Sequence, residues 1–184
     1  MNIIPFKIPG AYEIILKPFK DERGYFMRTY DPEIFREYNL QTDWKQENQS
    51  GNFESGIIRG FHFQKPPHTE TKLVRAVAGR VLDVFVDLRK NSPSYLKWEA
   101  VELSVEKHNM VYIPKGCAHA YCTISEQSIV AYKVDSKYAP QSEGGIKWDD
   151  KTLNIPWPLE NEPLISDKDS KLPYLQNFES PFTF

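Results

Sequence analysis

The chain has 184 residues, 40% of them hydrophobic and 14% aromatic, with a formal net charge of −2. That size and apolar content suit one domain with a sizeable core. The near balance of 23 basic and 25 acidic side chains gives no overall positive field for nucleic acid or an anionic membrane, and no run is long and apolar enough to cross a bilayer. The first ten residues, Met1 to Gly10, lack a charged region followed by an apolar run, so no secretion signal is expected.

Along the chain the first clear element is a helix over Asp31–Tyr38. Asp31 can cap the free first-turn amides, and Pro32 sits where a missing N–H costs nothing. Short strands broken by turns follow. Arg59–Gln64 reads as one, placing His62 and Gln64 on one face and Phe61 and Phe63 on the other. Lys72–Val77 reads as the next, and Gly79-Arg80 turns the chain into Val81–Leu88. There Leu82, Val84, Val86 and Leu88 share a face, and Asp83 and Asp87 fall on the opposite one. Asn91 to Ser94 ends that strand, and further strands are expected at Lys97–Leu103, Met110–Ile113, Ala118–Ile124 and Ser128–Val134. Many short strands at this spacing argue for an all-β sandwich or barrel.

From about residue 140 the character changes, with Pro140, Pro156, Pro158, Pro163 and Pro173 among acidic and aromatic residues. This part is expected to lie over the barrel as loops and short helices, leaving residues 1–184 a single domain. The two cysteines, Cys117 and Cys122, make no disulfide framework. With His119 nearby they could suggest a metal. Two small buried side chains on one strand is the favoured reading, and a reducing, cytoplasmic setting is expected.

Two segments carry chemistry. One is Arg59-Gly60-Phe61-His62-Phe63-Gln64; the other is Pro114-Lys115-Gly116-Cys117-Ala118-His119. The second resembles the second motif of the cupin barrels, whose first motif carries His-x-His and a later Glu that together bind a metal. Here Gln64 stands in place of the second His, and Glu70 is followed by Lys72. Exchanging imidazole for amide and adding a cation weakens such a site in ligand strength and in charge, so no metal is expected. Taken alone, His62 and His119 could equally be hydrogen-bonded core histidines.

The ordered set of motifs is more specific. It runs through Asp21-x-Arg23-Gly24-x-Phe26, Gln46-x-Asn48-x-Ser50, Arg59-Gly60-x-His62-x-Gln64 and Lys72-Leu73-Val74. It continues through Gly79-x-Val81-x-Asp83-Val84, Asp87-Leu88-Arg89, Ser92-Pro93, Pro114-x-Gly116-x-x-His119, Tyr132, Tyr138, Trp148-x-Asp150, Trp157-Pro158 and Ser166-x-Lys168-Asp169. In this the chain resembles the dTDP-4-dehydrorhamnose 3,5-epimerases over nearly its whole length. The resemblance implies a cupin jelly-roll barrel with a few short peripheral helices, acting as a homodimer on a nucleotide sugar and using no metal or organic cofactor. It implies His62 as base, supported by Asp169, Tyr132 as acid, and Lys72 near the sugar C4 oxygen. Arg23 and Arg59 would hold the diphosphate and Tyr138 would stack on the base. Phe26, Arg28, Gln46, Asn48, His119, Glu143 and Lys168 fall at further ligand-contacting positions.

The chemistry suits these residue types. A ketone at C4 acidifies the hydrogens on C3 and C5, because the carbanion left behind is an enolate. Epimerisation then needs a base on one face and an acid on the other. Histidine changes protonation near neutral pH, a lysine stabilises the enolate oxygen, and arginines pair with diphosphate.

One departure stands out. Arg28 occupies a position where the family usually carries Glu. Arg28 either meets a different nucleobase, as in a CDP- or GDP-linked ketosugar, or turns to solvent or to Glu47 and leaves thymidine accepted. The competing readings are an epimerase acting at C3 or C5 alone, and a nucleotide-sugar-binding cupin without chemistry.

Overall fold

The computed structural model describes residues 1–184, and every one of them is placed. Two antiparallel sheets face each other. The first contains β1 (Asn2–Pro5), β2 (Tyr12–Ile15), β5 (Gln46–Asn52), β7 (Lys72–Ala78), β10 (Asn109–Ile113) and β12 (Ser128–Val134), in the order β1-β2-β10-β7-β12-β5. The second contains β6 (Ile58–Gln64), β8 (Arg80–Asp87), β9 (Trp98–Ser104), β11 (Cys117–Thr123) and β13 (Glu143–Gly145), in the order β13-β6-β11-β8-β9. Strands adjacent in sequence often lie in different sheets, the arrangement of a jelly roll. A separate hairpin, β3 (Phe19–Asp21) and β4 (Gly24–Phe26), pairs only with itself.

Period-two alternation explains the layers. Val74 and Ala76 of β7, Val111 and Ile113 of β10 and Val130 of β12 meet Val81, Phe85, Leu103, Cys117 and Tyr121 of the facing sheet in one buried cluster. The opposite face of the second sheet, with Phe61, Phe63, Val84, Val86, Leu88, Ala118 and Ala120, is also apolar. Ile146, Leu153, Leu175 and Phe182 pack against it. Leu73, Met110, Tyr112 and Ile14 on the outer side of the first sheet receive Phe35 from α1 (Pro32–Glu37).

The strands expected from sequence lie within one residue of those observed, and the helix has Asp31 as its N-cap, accepting from the Glu33 amide at 3.0 Å. Asp83 and Asp87, which alternation places opposite the apolar face of β8, are both fully buried. They face the facing sheet rather than water. Asp87 accepts from Arg89, Ser92 and Ser94, a network that closes the end of β8. The two cysteines lie buried and unpaired on β11.

Candidate active site

The space between the sheets opens into a cavity of about 250 Å³ lined by Gln46 and Asn48 from β5, His62 and Gln64 from β6, Lys72 from β7 and Tyr132 from β12, with Glu70, Tyr138 and Glu143 at its edges. His62 and Tyr132 therefore reach it from opposite sheets.

His62 presents Nε2 to Asp169 Oδ1 at 2.7 Å. Asp169 belongs to the short helix α2 (Asp167–Ser170), whose cap Ser166 accepts from the Asp169 amide. Its other oxygen accepts from the Gly60 amide at 3.1 Å. Gly60 has φ +114°, and a Cβ there would sit 2.4 Å from the His119 carbonyl, so only glycine lets β6 pass β11 this closely. Burial alone would raise the Asp169 carboxyl. The His62 hydrogen bond and charge, the Gly60 amide and Lys168 outweigh it and hold the group below the ordinary carboxylate range. Asp169 is thus ionised at neutral pH and accepts the Nε2 proton, which leaves Nδ1 as the basic nitrogen. About a third of the His62 side chain stays open (32%), against 5% for Asp169, so the imidazole is reachable and its partner is shielded.

Tyr132 is pushed above the ordinary tyrosine range, first by burial, then by the charge of Glu70 and by Tyr121, with Arg59 acting the other way. It keeps its proton. Lys72 Nζ lies 3.3 Å from Glu70 Oε1. Gln64 is fully engaged: its Nε2 donates to the His68 carbonyl at 3.0 Å and to Glu70 Oε2 at 3.1 Å, and its Oε1 accepts from the Ala139 amide at 2.6 Å. No three His, Cys, Asp or Glu side chains converge as a metal site.

The remaining candidates divide. Gln46 Oε1 accepts from the Tyr138 amide at 2.6 Å, and the Tyr138 hydroxyl donates to Glu143 at 3.2 Å. Glu143 also holds Lys168, so these residues form one mouth. Tyr138 is exposed there, as a stacking platform requires. Arg59 donates to Asn52 Oδ1 at 2.9 Å, beside Asp169. His119 lies directly across the ladder from His62 and gives Nε2 to Asp83 at 2.8 Å. That aspartate stands in a family motif of the sequence but was given no role there.

Arg23, Phe26 and Arg28 are not brought to this cavity. Arg23 and Phe26 lie exposed on the free hairpin, with Arg23 paired to Asp21 at 2.6 Å. Arg28 turns neither to Glu47 nor simply to solvent. It pairs with Asp31 at 2.8 Å, because the cap of α1 stands three residues away, while Glu47 is taken by Lys133 at 2.6 Å. Arg28 borders a separate hollow of about 400 Å³ with Arg75 and Lys133, residues that alternate with the cavity-facing Lys72 and Tyr132 and so occupy the other side of the sheet. Another hollow, of about 340 Å³, lies near Lys151 and Tyr174. Asp150 there is spent on the Thr152, Leu153 and Leu175 amides.

Comparison with known proteins gives a consistent picture. The family model described as dTDP-4-dehydrorhamnose 3,5-epimerase matches residues 5–177. A dTDP-4-dehydrorhamnose 3,5-epimerase of Shigella flexneri is 42% identical over 170 residues, covering 92% of this chain and 93% of that protein. The crystal structure of the Bacillus anthracis dTDP-4-dehydrorhamnose 3,5-epimerase with TDP and PPi bound superposes with a TM-score of 0.92 at 40% identity, over 95% of this chain and 99% of that one. The Legionella pneumophila dTDP-6-deoxy-D-glucose-3,5-epimerase, in complex with dTDP-4-keto-L-rhamnose, gives 0.91 at 37% identity, over 97% and 94%.

Proposed function

Because the chain belongs to the dTDP-4-dehydrorhamnose 3,5-epimerase family, it is a sugar-nucleotide epimerase, and we propose that it inverts C3 and C5 of dTDP-linked 4-keto-6-deoxyglucose with His62 as base and Tyr132 as acid. The observation that carries this mechanism is the approach of those two side chains to one cavity from opposite sheets. His62 Nδ1 takes the proton from the carbon beside the ketone. The electron pair of the broken C–H bond moves to the C4 oxygen as an enolate, next to the Lys72 ammonium. The pair then returns to the same carbon, which takes the Tyr132 hydroxyl proton on its other face. The imidazolium and tyrosinate left behind exchange with solvent. The same two groups serve the second carbon in turn.

Asp169 holds the tautomer that makes Nδ1 basic and stabilises the imidazolium. Lys72 supplies the charge that the enolate needs, a kind of contact whose loss costs on the order of 10²–10³ in turnover elsewhere. Lys168 at the mouth and Arg59, beside Asp169 at the other end of β6, serve the diphosphate, Gln46, Asn48, His119 and Glu143 hold the sugar and nucleotide, and Tyr138 stacks on the base. No step calls for a cofactor.

The same reading takes residues 1–184 as one cupin unit, with the part beyond about residue 140 laid over the barrel. It also takes the chain as a homodimer. The β3–β4 hairpin exposes Phe19, Tyr25 and Phe26 and carries Arg23 away from its own cavity. Both facts are met if the hairpin serves the site of a second copy. No helix is long and apolar enough to cross a membrane, and two buried thiols agree with a cytoplasmic place.

Solvent deuterium uptake into dTDP-4-keto-6-deoxyglucose, read at C3 and C5 by NMR, tests the mechanism. Exchange at both carbons that disappears in His62→Ala is expected. Exchange that survives in His62→Ala overturns the base assignment. Preference for a CDP- or GDP-linked ketosugar over the dTDP one would return Arg28 to the nucleotide.

A further inference from the structure

Glu70 stands in the loop just before β7. Its side chain is almost closed to solvent (12%), as is that of Lys72 beside it (10%). A carboxylate so enclosed is costly unless paired. Oε1 lies 3.3 Å from Lys72 Nζ, and Oε2 accepts from Gln64 Nε2 at 3.1 Å. Gln64 is itself pinned by the His68, Lys137 and Ala139 backbone, so the carboxylate is fixed from the cavity wall.

We propose that Glu70 is a positioning residue for the proton-returning half of the reaction: braced by Gln64, it orients the Lys72 ammonium into the cavity and sets a fixed negative charge near Tyr132. The proposal rests on Tyr132 being the acid. An acid must still carry its proton when the carbanion forms, and a fixed carboxylate disfavours the tyrosinate. The upward push on the Tyr132 hydroxyl, from burial and then from Glu70, has the same sense. The other groups around Tyr132 do not replace this charge. From β6, Arg59 acts in the opposite direction and His62 is paired with Asp169. From β11, the Tyr121 hydroxyl donates to Asn52 Oδ1 and is hydrogen-bonded to the Ser50 hydroxyl. At the mouth, Glu143 is held by Lys168 and Tyr138. From β7, Lys72 has Glu70 as its one ion-pair partner. Removing the carboxylate therefore deletes a negative charge and frees a positive one, and both changes favour the tyrosinate.

The test is the pH dependence of two rates in wild type, Glu70→Gln and Glu70→Asp: epimerised product, and solvent deuterium exchange with retention of configuration. Exchange with retention needs His62 and Lys72 alone; epimerisation needs Tyr132 as well. In Glu70→Gln, whose amide oxygen can still accept from Gln64, the alkaline limb of epimerisation is expected to move down by roughly one pH unit. Exchange with retention should persist above that limb, and Glu70→Asp should restore part of the shift. An unmoved limb overturns the proposal, as does a parallel fall of both rates, which marks loss of Lys72 or of packing. Tyr132→Phe separates the underlying assumption: if it still epimerises with the wild-type limb, the acid assignment falls, and this proposal with it.

Discussion

At the scale of single residues, the His62–Asp169 pair makes the sharpest prediction. Asp169→Asn keeps the shape but offers His62 a neutral amide, so the imidazole is no longer held in the tautomer that bares Nδ1. Turnover should fall by about 10²–10⁴, the usual worth of a well-placed base, with KM for the nucleotide sugar little changed; steady-state kinetics checks this. The pair also makes stability depend on pH. Because the folded Asp169 carboxyl is held below its ordinary value, its contribution is complete above the ordinary carboxylate range and is lost as pH falls through the folded value. Acid unfolding of Asp169→Asn should show a shallower loss in that window. The motif positions of His62, Lys72, Tyr132 and Asp83 were all legible in the sequence. The burial of Asp83 was not: alternation shows that a side chain is polar, and only the opposing sheet shows that it is enclosed beside His119. Arg28 shows the limit of the same kind. Its partner Asp31 is a near neighbour in sequence, but its pairing depends on where the helix begins.

At the scale of elements, the strands whose apolar residues alternate were readable to within a residue, because burial on one or both faces dictates their period. β13 was not. Glu143-Gly144-Gly145 has no apolar pattern, and it is a strand because β6 offers it an edge, at Glu143 opposite Gln64 and Gly145 opposite His62. The end of β8 illustrates how a strand terminus is secured. Burial would raise Asp87, but hydrogen bonds from Arg89, Ser92 and Ser94 outweigh that and lower it. Asp87→Ala leaves the buried Arg89 guanidinium without its counter-charge, which typically costs about 3–5 kcal/mol. Denaturant unfolding should show that loss at neutral pH and a smaller one in acid, since the wild-type carboxylate contributes only above its own folded value. At α1, Asp31→Ala removes the cap and the Arg28 partner together; about 1 kcal/mol is expected for the cap, read by the same unfolding experiment.

At the scale of the whole molecule, the resemblance of the full set of motifs conveyed the jelly roll, whereas no local pattern shows how one copy meets another. The exposed hairpin gives that question a direct experiment. Arg23→Ala and His62→Ala chains should each be nearly inactive as homodimers. Mixed after unfolding and refolding together, they should recover about a quarter of wild-type activity, since half of randomly paired two-fold dimers are hybrids with one intact site. No recovery on mixing, with hybrids demonstrated by mass spectrometry, would place Arg23 in its own chain's site, and an active Arg23→Ala chain before mixing would place it in none. The spacing of the base and its partner has a consequence in time. Asp169 follows His62 by 107 positions, and at roughly 5–20 residues per second of synthesis many seconds separate the emergence of the two. Through that interval the nascent polypeptide carries its imidazole without the carboxylate that orients it, so the ribosome releases a chain whose His62 meets its partner only after the tail has docked.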